Sequence, residues 1–252
     1  MPDQSQINTS RSSGRTYPPG YGPVEPVANY RPWDSDAAFQ QLYTRIREHT
    51  MVDQYRLWTL WFLGGQLPGG DILEVGSWRG GSGAVLAQAS RRGRAVIPGV
   101  ESSAPQAREI FLADTFAGVV KAGERDTYYK GGEHANTSSR TVAELFAQLE
   151  LGDVTLLEGI FPDETGDRIE QRRFALCHID VDVYQSAKDV FTWVWPRMVP
   201  GGVVVFDDYG FYGCEGVTAF VHEIAGTQLV VPSLSGQAVI TCPAVAPDHS
   251  LQ

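Results

Sequence analysis

Two apolar runs in this chain end in carboxylates. Residues 174–179 lead into Asp180-Val181-Asp182-Val183-Tyr184, and residues 202–206 lead into Asp207-Asp208-Tyr209-Gly210. Burying unpaired carboxylates is costly, and neither cluster contains an Arg or Lys to compensate the charge. A divalent cation held by several of these oxygens is the economical answer. Side chains alternate along a strand, so Asp180 and Asp182 are expected on one side if the strand continues through them. Asp180, Asp207 and Asp208 offer hard oxygen ligands suited to Mg2+. Asp182 is left beside the ion as a candidate general base for a substrate hydroxyl. A weak base suffices there, because a nearby cation lowers the pKa of such a hydroxyl.

A glycine-rich turn is the second chemical motif. Glu74-Val75-Gly76-Ser77-Trp78-Arg79-Gly80-Gly81-Ser82 follows a strand-like run and opens a helix. Glycines there permit positive φ and close approach of a ligand to the backbone. No Lys follows them, which argues against a phosphate-binding loop, and the G-x-G-x-x-G spacing of dinucleotide folds is incomplete. The turn fits one that cups an amino acid and a ribose, with Glu74 near the ligand, as in S-adenosylmethionine enzymes. A second acid is expected at the end of the next strand to bind ribose hydroxyls. Glu101 and Asp114 are the candidates. Pro98-Gly99 interrupts the run before Glu101, whereas Asp114 ends an unbroken run from Glu109, so Asp114 is preferred.

These residues need a scaffold, and the sequence alternates strand and helix signals from residue 71 onward. Strands are expected at 71–75, 109–113, 154–158, 174–179 and 203–206, with helices at 84–92, 141–149, 186–195 and 215–224 between and after them. Runs at 228–232 and 238–242 read as a terminal antiparallel pair. Such alternation specifies an α/β fold with a doubly wound, mostly parallel sheet, a Rossmann-like arrangement. Ligands bind outside the carboxyl ends of the strands in such sheets, where both acidic clusters fall. Before the sheet, Trp33–Asp36 offers an N-cap for a helix over 37–50, and a second, largely apolar helix spans 53–63. Residues 30–65 thus form a helical preface to one domain over 30–252. Residues 1–29, rich in Ser, Gln, Pro and Gly, are expected to be a disordered arm. Its tyrosines Tyr17 and Tyr21, with Tyr30, could act as a lid. The apolar second helix suggests burial against a second subunit, so a homo-oligomer is expected.

Composition narrows the partners. The 252 residues carry 30 acidic and 20 basic side chains, a net charge of −10. No basic block is present, which argues against nucleic-acid or anionic-membrane partners. Three scattered cysteines, Cys177, Cys214 and Cys242, do not make a disulfide framework or a zinc cluster. Neither a signal peptide nor a membrane-spanning run is visible, so a cytoplasmic protein is expected. His178 reads as a buried, hydrogen-bonded core residue, and His134 as a solvated loop histidine.

The motifs 74–81, 113–118, 159–161, 180–186 and 200–210 together resemble the TylF/NovP-like (macrocin) O-methyltransferases. The resemblance covers residues 50–225 and is most specific in Asp-x-Asp-x-Tyr with Asp-Asp-Tyr-Gly. It implies a Mg2+-dependent transfer of methyl from S-adenosylmethionine to a hydroxyl, usually on a sugar of an antibiotic or related natural product. The acceptor would be a glycosylated or hydroxylated small molecule. On matching positions it implies Asp180, Asp207 and Asp208 as metal ligands and Asp182 as base. It also implies a cofactor site of Glu74, Gly76, Ser77, Gly80, Ser82, Asp114, Phe116, Gly159, Phe161 and Asp180. This chain departs from the family at Val181, where Gly is usual, in a longer segment 95–108 and in a divergent segment 119–137. Catechol-type methyltransferases pair their metal Asp with a nearby Lys and an Asp-Asn, so a catechol is not the expected acceptor. Two rival readings remain: a catalytically silent cofactor-binding partner of a biosynthetic enzyme, and a metal-dependent hydrolase.

Overall fold

A computed structural model describes residues 17–24, 27–92, 108–152 and 154–243 of the chain. Glu101, the alternative ribose acid, lies outside the described residues. Among those described, seven strands form one sheet in the order β3-β2-β1-β4-β5-β7-β6. The strands are β1 Asp71–Val75, β2 Ile110–Asp114, β3 Val154–Glu158, β4 Phe174–Ile179, β5 Met198–Phe206, β6 Val230–Ser233 and β7 Gln237–Thr241. The first five run parallel. β7 joins β5 antiparallel, and β6 pairs antiparallel with β7, as the terminal pair was expected to do. The strand order reverses between β1 and β4, and that switch point opens the crevice in which ligands of such folds bind.

Three of the helices start at a side-chain cap supplied by the sequence, Asp36, Asp53 and Ser138. The short α1 (Pro32–Ser35) precedes α2 (Ala37–Ile46), whose cap Asp36 accepts the Phe39 amide. Expected as one helix through Thr50, this segment instead tightens into a 3₁₀ turn at Arg47–His49 and ends in extended backbone at Thr50. Ile46 is the last residue of the segment to reach the core, and the next turn packs instead against the glycine-rich turn, where a Cβ on Gly81 would lie 2.6 Å from the His49 carbonyl oxygen and 2.8 Å from Thr50 Cβ. Asp53 caps α3 (Gln54–Gly64) by accepting the Tyr55 and Arg56 amides. α4 (Gly81–Arg91), α5 (Ser139–Gln148), α6 (Tyr184–Val194) and α7 (Glu215–Ile224) cover the sheet. One core layer joins α2, α3, α4 and α5 to the sheet through Phe39, Leu57, Leu60, Leu86, Leu145 and Ile72. The other joins α6 and α7 through Val190, Phe191, Val217, Phe220, Leu73 and Phe206. Both faces of the parallel strands are therefore covered, which explains their nearly unbroken apolar runs.

The preface does more than cover the sheet. Arg56 is 8% exposed although it lies on α3 beside Leu57, Leu60 and Trp61, and it is aimed at the carboxyl end of β5. In the arm, Tyr17 and Tyr21 lie against Tyr212 with ring centroids 6.3 and 5.5 Å apart. No helix among the described residues is long and apolar enough to cross a membrane.

Candidate active site

A cleft of about 980 Å³, counting its open mouth, lies at the carboxyl ends of β1, β2, β4 and β5. Its floor is Val75, Gly76 and Asp114, and one side is Asp180, Val181, Asp182, Asp207 and Asp208. Arg56, Met51 and Val52 close it from the helical preface, and Val119, Val120, Tyr129 and His134 close it from the loop after β2. Strand ends β4 and β5 are hydrogen-bonded in register, Ile179 beside Phe206, so the two acidic clusters are brought side by side.

The glycine turn is shaped by close approach. Gly76 has φ +92°, and a Cβ there would lie 2.7 Å from the Asp180 carbonyl carbon. Only glycine lets β1 pass that close to the start of the acidic segment. Asp114 accepts the amides of Trp78 and Phe116, each at 2.7 Å. Burial raises the Asp114 pKa above its ordinary value despite these bonds, which oppose the rise. Trp78 and Phe116 both take left-handed backbone, φ 45° and 52°, to aim those amides. Gly76, Asp114, Gly159, Phe161 and Asp180, all assigned to the cofactor from the sequence, line the cleft.

The remaining five of that set, Glu74, Ser77, Gly80, Ser82 and Phe116, do not line it. Glu74 alternates to the helix side of β1, fully buried, where its Oε1 meets His178 Nδ1 at 2.9 Å. Glu74, expected near the ligand, lies under α4, where a Cβ on Gly83 would come within 2.7 Å of its Oε2. Gly80 caps α4 with φ +85°, Ser82 is buried in its first turn, Ser77 is 2% exposed and Phe116 packs against the core. Gly80 and Ser82 thus build the glycine turn and the start of α4, and Phe116 packs in the segment after β2.

The acidic clusters carry two corrections. β4 ends at Ile179, and Asp182 takes φ +65°, so strand alternation does not continue through Asp180-Val181-Asp182. The turn, not the pleat, sets where these carboxylates point. Second, a basic partner is present. Arg56 donates through Nη1 to Asp207 Oδ2, lies 3.8 Å from Asp208 Oδ1 and holds Asp53 at 2.9 Å. No acidic motif contains Arg56; the signal in the sequence was a lone cation inside an apolar helix.

One guanidinium does not balance four carboxylates. Burial pushes Asp207 up, but Arg56 and His178 bring it below its ordinary value. Burial and the neighbouring acids leave Asp180 well above its usual range. Burial and then Asp182 and Asp207 raise Asp208 to about 8, and burial raises Asp182 to about 6. Burial would lower His178, yet Asp207 and Glu74 raise it to about 10. His178 is thus the buried, hydrogen-bonded core residue expected from its place in β4. Asp208 Oδ2 is buried with no hydrogen-bond partner, and Asp182 and Asp208 each sit in left-handed backbone. Ligand atoms of His178, Asp180 and Asp207 lie within 4.8 Å of one another, as do those of Asp182, Asp208 and Cys214. Several oxygens converge here without enough positive charge, and one is orphaned. That donor set fits a hard divalent cation. Cys214 does not add to it, because burial pushes its thiol up and keeps it protonated.

The loop at 128–134 supplies residues that the sequence did not assign. Tyr129 lines the cleft with its hydroxyl 3.4 Å from His134 Nε2. His134, expected to be solvated, is a half-buried cleft residue with φ +65°. Burial and Asp182 raise the Tyr129 pKa, which keeps the phenol neutral beside the acids.

Comparison with known proteins places this geometry. A family model described as macrocin O-methyltransferase (TylF) matches residues 47–231. The chain is 30% identical over 221 residues to 8-demethyl-8-(2,3-dimethoxy-alpha-L-rhamnosyl)-tetracenomycin-C 4'-O-methyltransferase of Streptomyces olivaceus, covering 81% of this chain and 79% of that protein. It is 31% identical over 191 residues to mycinamicin III 3''-O-methyltransferase of Micromonospora griseorubida, covering 69% of each. The solved structure of the O-methyltransferase NovP superposes with a TM-score of 0.60 at 23% identity, over 77% of this chain and 82% of that one. That superposition shows a shared fold.

Proposed function

This chain belongs to the macrocin O-methyltransferase family, and from that premise we propose that it methylates a sugar hydroxyl of a glycosylated natural product with the help of Mg2+. The methyl donor is S-adenosylmethionine. The observation that carries the metal is the cluster Asp180, Asp182, Asp207 and Asp208, with three carboxylates held above their ordinary pKa and one oxygen orphaned. The acceptor class is supported by two relatives whose names specify methylation at numbered sugar positions.

Asp180, Asp207 and Asp208 would hold the cation, with Arg56 keeping Asp207 ionised. When bound, the ion supplies positive charge that lowers the pKa of the acceptor hydroxyl and stabilises its oxygen. Asp182 takes the proton, and its pKa of about 6 leaves it mostly ionised at neutral pH. The donor side of the cleft is the floor of Gly76 and Asp114, with Gly159 and Phe161 beside it. Asp180 touches both halves, because Gly76 packs directly on its backbone. Methyl transfer then depends on positioning the acceptor oxygen in line with the sulfonium, which the rigid strand ends provide. The walls formed by Val119, Val120, Tyr129 and His134 face the acceptor in this reading.

The test is methyl transfer from labelled S-adenosylmethionine to a panel of glycosylated natural products, with Mg2+ or with EDTA. Turnover should require the divalent ion, while binding of S-adenosylmethionine survives EDTA. Asp182→Asn should lower kcat by about 10²–10⁴-fold with little change in binding of the methyl donor. Full activity in EDTA would remove the metal from the mechanism, and full activity of Asp182→Asn would remove the base.

A further inference from the structure

We propose that Gln237, on the C-terminal antiparallel strand, is a positioning residue that fixes the Asp207 carboxylate for cation binding; this rests on the metal reading above. Gln237 lies beyond residues 47–231, the span matched by the family model. β7 is otherwise short and apolar at its buried positions, with Ala238 and Ile240 in the core. An amide in that setting is costly unless its bonds are used.

The bond it makes is specific. Gln237 is fully buried, and its Nε2 donates to Asp207 Oδ1 at 2.6 Å. A carboxylate only accepts, so the amide must present its NH2 to Asp207. Its own Oε1 is left buried with no partner. A residue kept for packing alone would not strand an acceptor in the core where Leu or Met would fit. Gln237 tolerates that loss while making its one bond to the carboxylate.

Asp207 is thereby gripped from three elements. Arg56 on α3 takes Oδ2, Gln237 on β7 takes Oδ1, and His178 Nε2 on β4 stands 3.5 Å from Oδ1. The last distance is too long for a good hydrogen bond, so Gln237 carries the close contact to that oxygen. A carboxylate offers about four lone-pair sites. With both oxygens engaged, its plane is set and rotation is blocked, which presents the remaining lone pairs in one direction. Partners of this kind behind a metal-binding carboxylate orient it and tune affinity. Residues 228–242, which complete the sheet, therefore also complete the site.

The experiment compares the full-length parent with Gln237→Leu. Mn2+ binding is followed by electron paramagnetic resonance, S-adenosylmethionine binding by calorimetry, and folding by thermal unfolding. Gln237→Leu should weaken Mn2+ binding about 10–100-fold while the Kd for S-adenosylmethionine stays within about threefold. Gln237→His, which restores a ring N–H donor, should recover part of the Mn2+ affinity. If Gln237→Leu does not fold, Gln237→Met, unbranched and of similar length, serves in the same comparison. A folded variant with the parent's Mn2+ affinity overturns the proposal and leaves the metal reading standing. A parent that binds no Mn2+ overturns both.

Discussion

Gly76→Ala is the sharpest perturbation this structure offers. The residue has φ +92°, and a left-handed backbone costs an L-residue about 1–2 kcal/mol. The added Cβ would also land on the Asp180 carbonyl, 2.7 Å from its carbon. Neither backbone can yield freely. Gly76 N donates to Ala113 O at 2.9 Å, and Asp180 N donates to Val75 O at 2.9 Å, so both segments are tied to neighbouring strands. Overpacking of a rigid site adds about 1–3 kcal/mol, and a clash with backbone belongs at the upper end. The sum is about 3–5 kcal/mol, a large part of a typical domain stability of about 5–15 kcal/mol. Gly132→Ala is the internal reference. Gly132 has a similar φ of +88°, but a Cβ there meets nothing within 4 Å, so only the backbone penalty applies. Urea unfolding of both variants should separate them by about 2–3 kcal/mol, and Gly76→Ala should also lose binding of S-adenosylmethionine. Equal destabilisation of the two would refute the argument that close approach, rather than φ alone, demands glycine at the base of the cleft.

Two further outcomes follow from charge. Arg56→Met removes the guanidinium paired with Asp207 and should cost about 3 kcal/mol at neutral pH, as breaking one side of a buried pair does; a urea midpoint equal to the parent's would show that Asp207 does not depend on it. Asp36 is pushed up by burial, but the Phe39 amide, Trp61 and Arg92 bring it below its ordinary value. Its ionised form thus stabilises the fold above the unfolded pKa of about 3.9, and the contribution is lost as pH falls through the lower folded value. Asn also caps helices, so Asp36→Asn isolates the charge. The stability gap between parent and variant should be under about 1 kcal/mol at pH 6, since solvent screens the site. It should close on acid titration toward pH 3, and a gap that widens there would contradict the sign.

Much of the fold was legible because strand and helix periods are local. The apolar runs at 71–75, 174–179 and 203–206 are strands of a parallel sheet, and Asp36 and Asp53 cap the helices that follow them. Asp114 was legible for the same reason, as an acid ending an unbroken run. The directions of Asp180 and Asp182 were not, because a left-handed turn at Asp182 replaces the pleat that the alternation rule assumes. The direction of Glu74 was not legible either, because the motif shows an acid before the turn but not which face of β1 it takes.

What the sequence determined by itself is the chemistry available: four carboxylates at two strand ends, a glycine turn, and an acid after the next strand. Residue type and spacing settle those, since they depend only on neighbours in the chain. Tertiary structure alone decided how the charge is shared. Arg56 lies 151 residues from Asp207 and Gln237 lies 30 from it, yet both bond to the same carboxylate. Coulombic and hydrogen-bond energies depend on distance in space, and no spacing rule along the chain brings α3 and β7 to the end of β5. Folding therefore turned an unpaired acidic cluster into one anchored carboxylate beside three that remain short of positive charge.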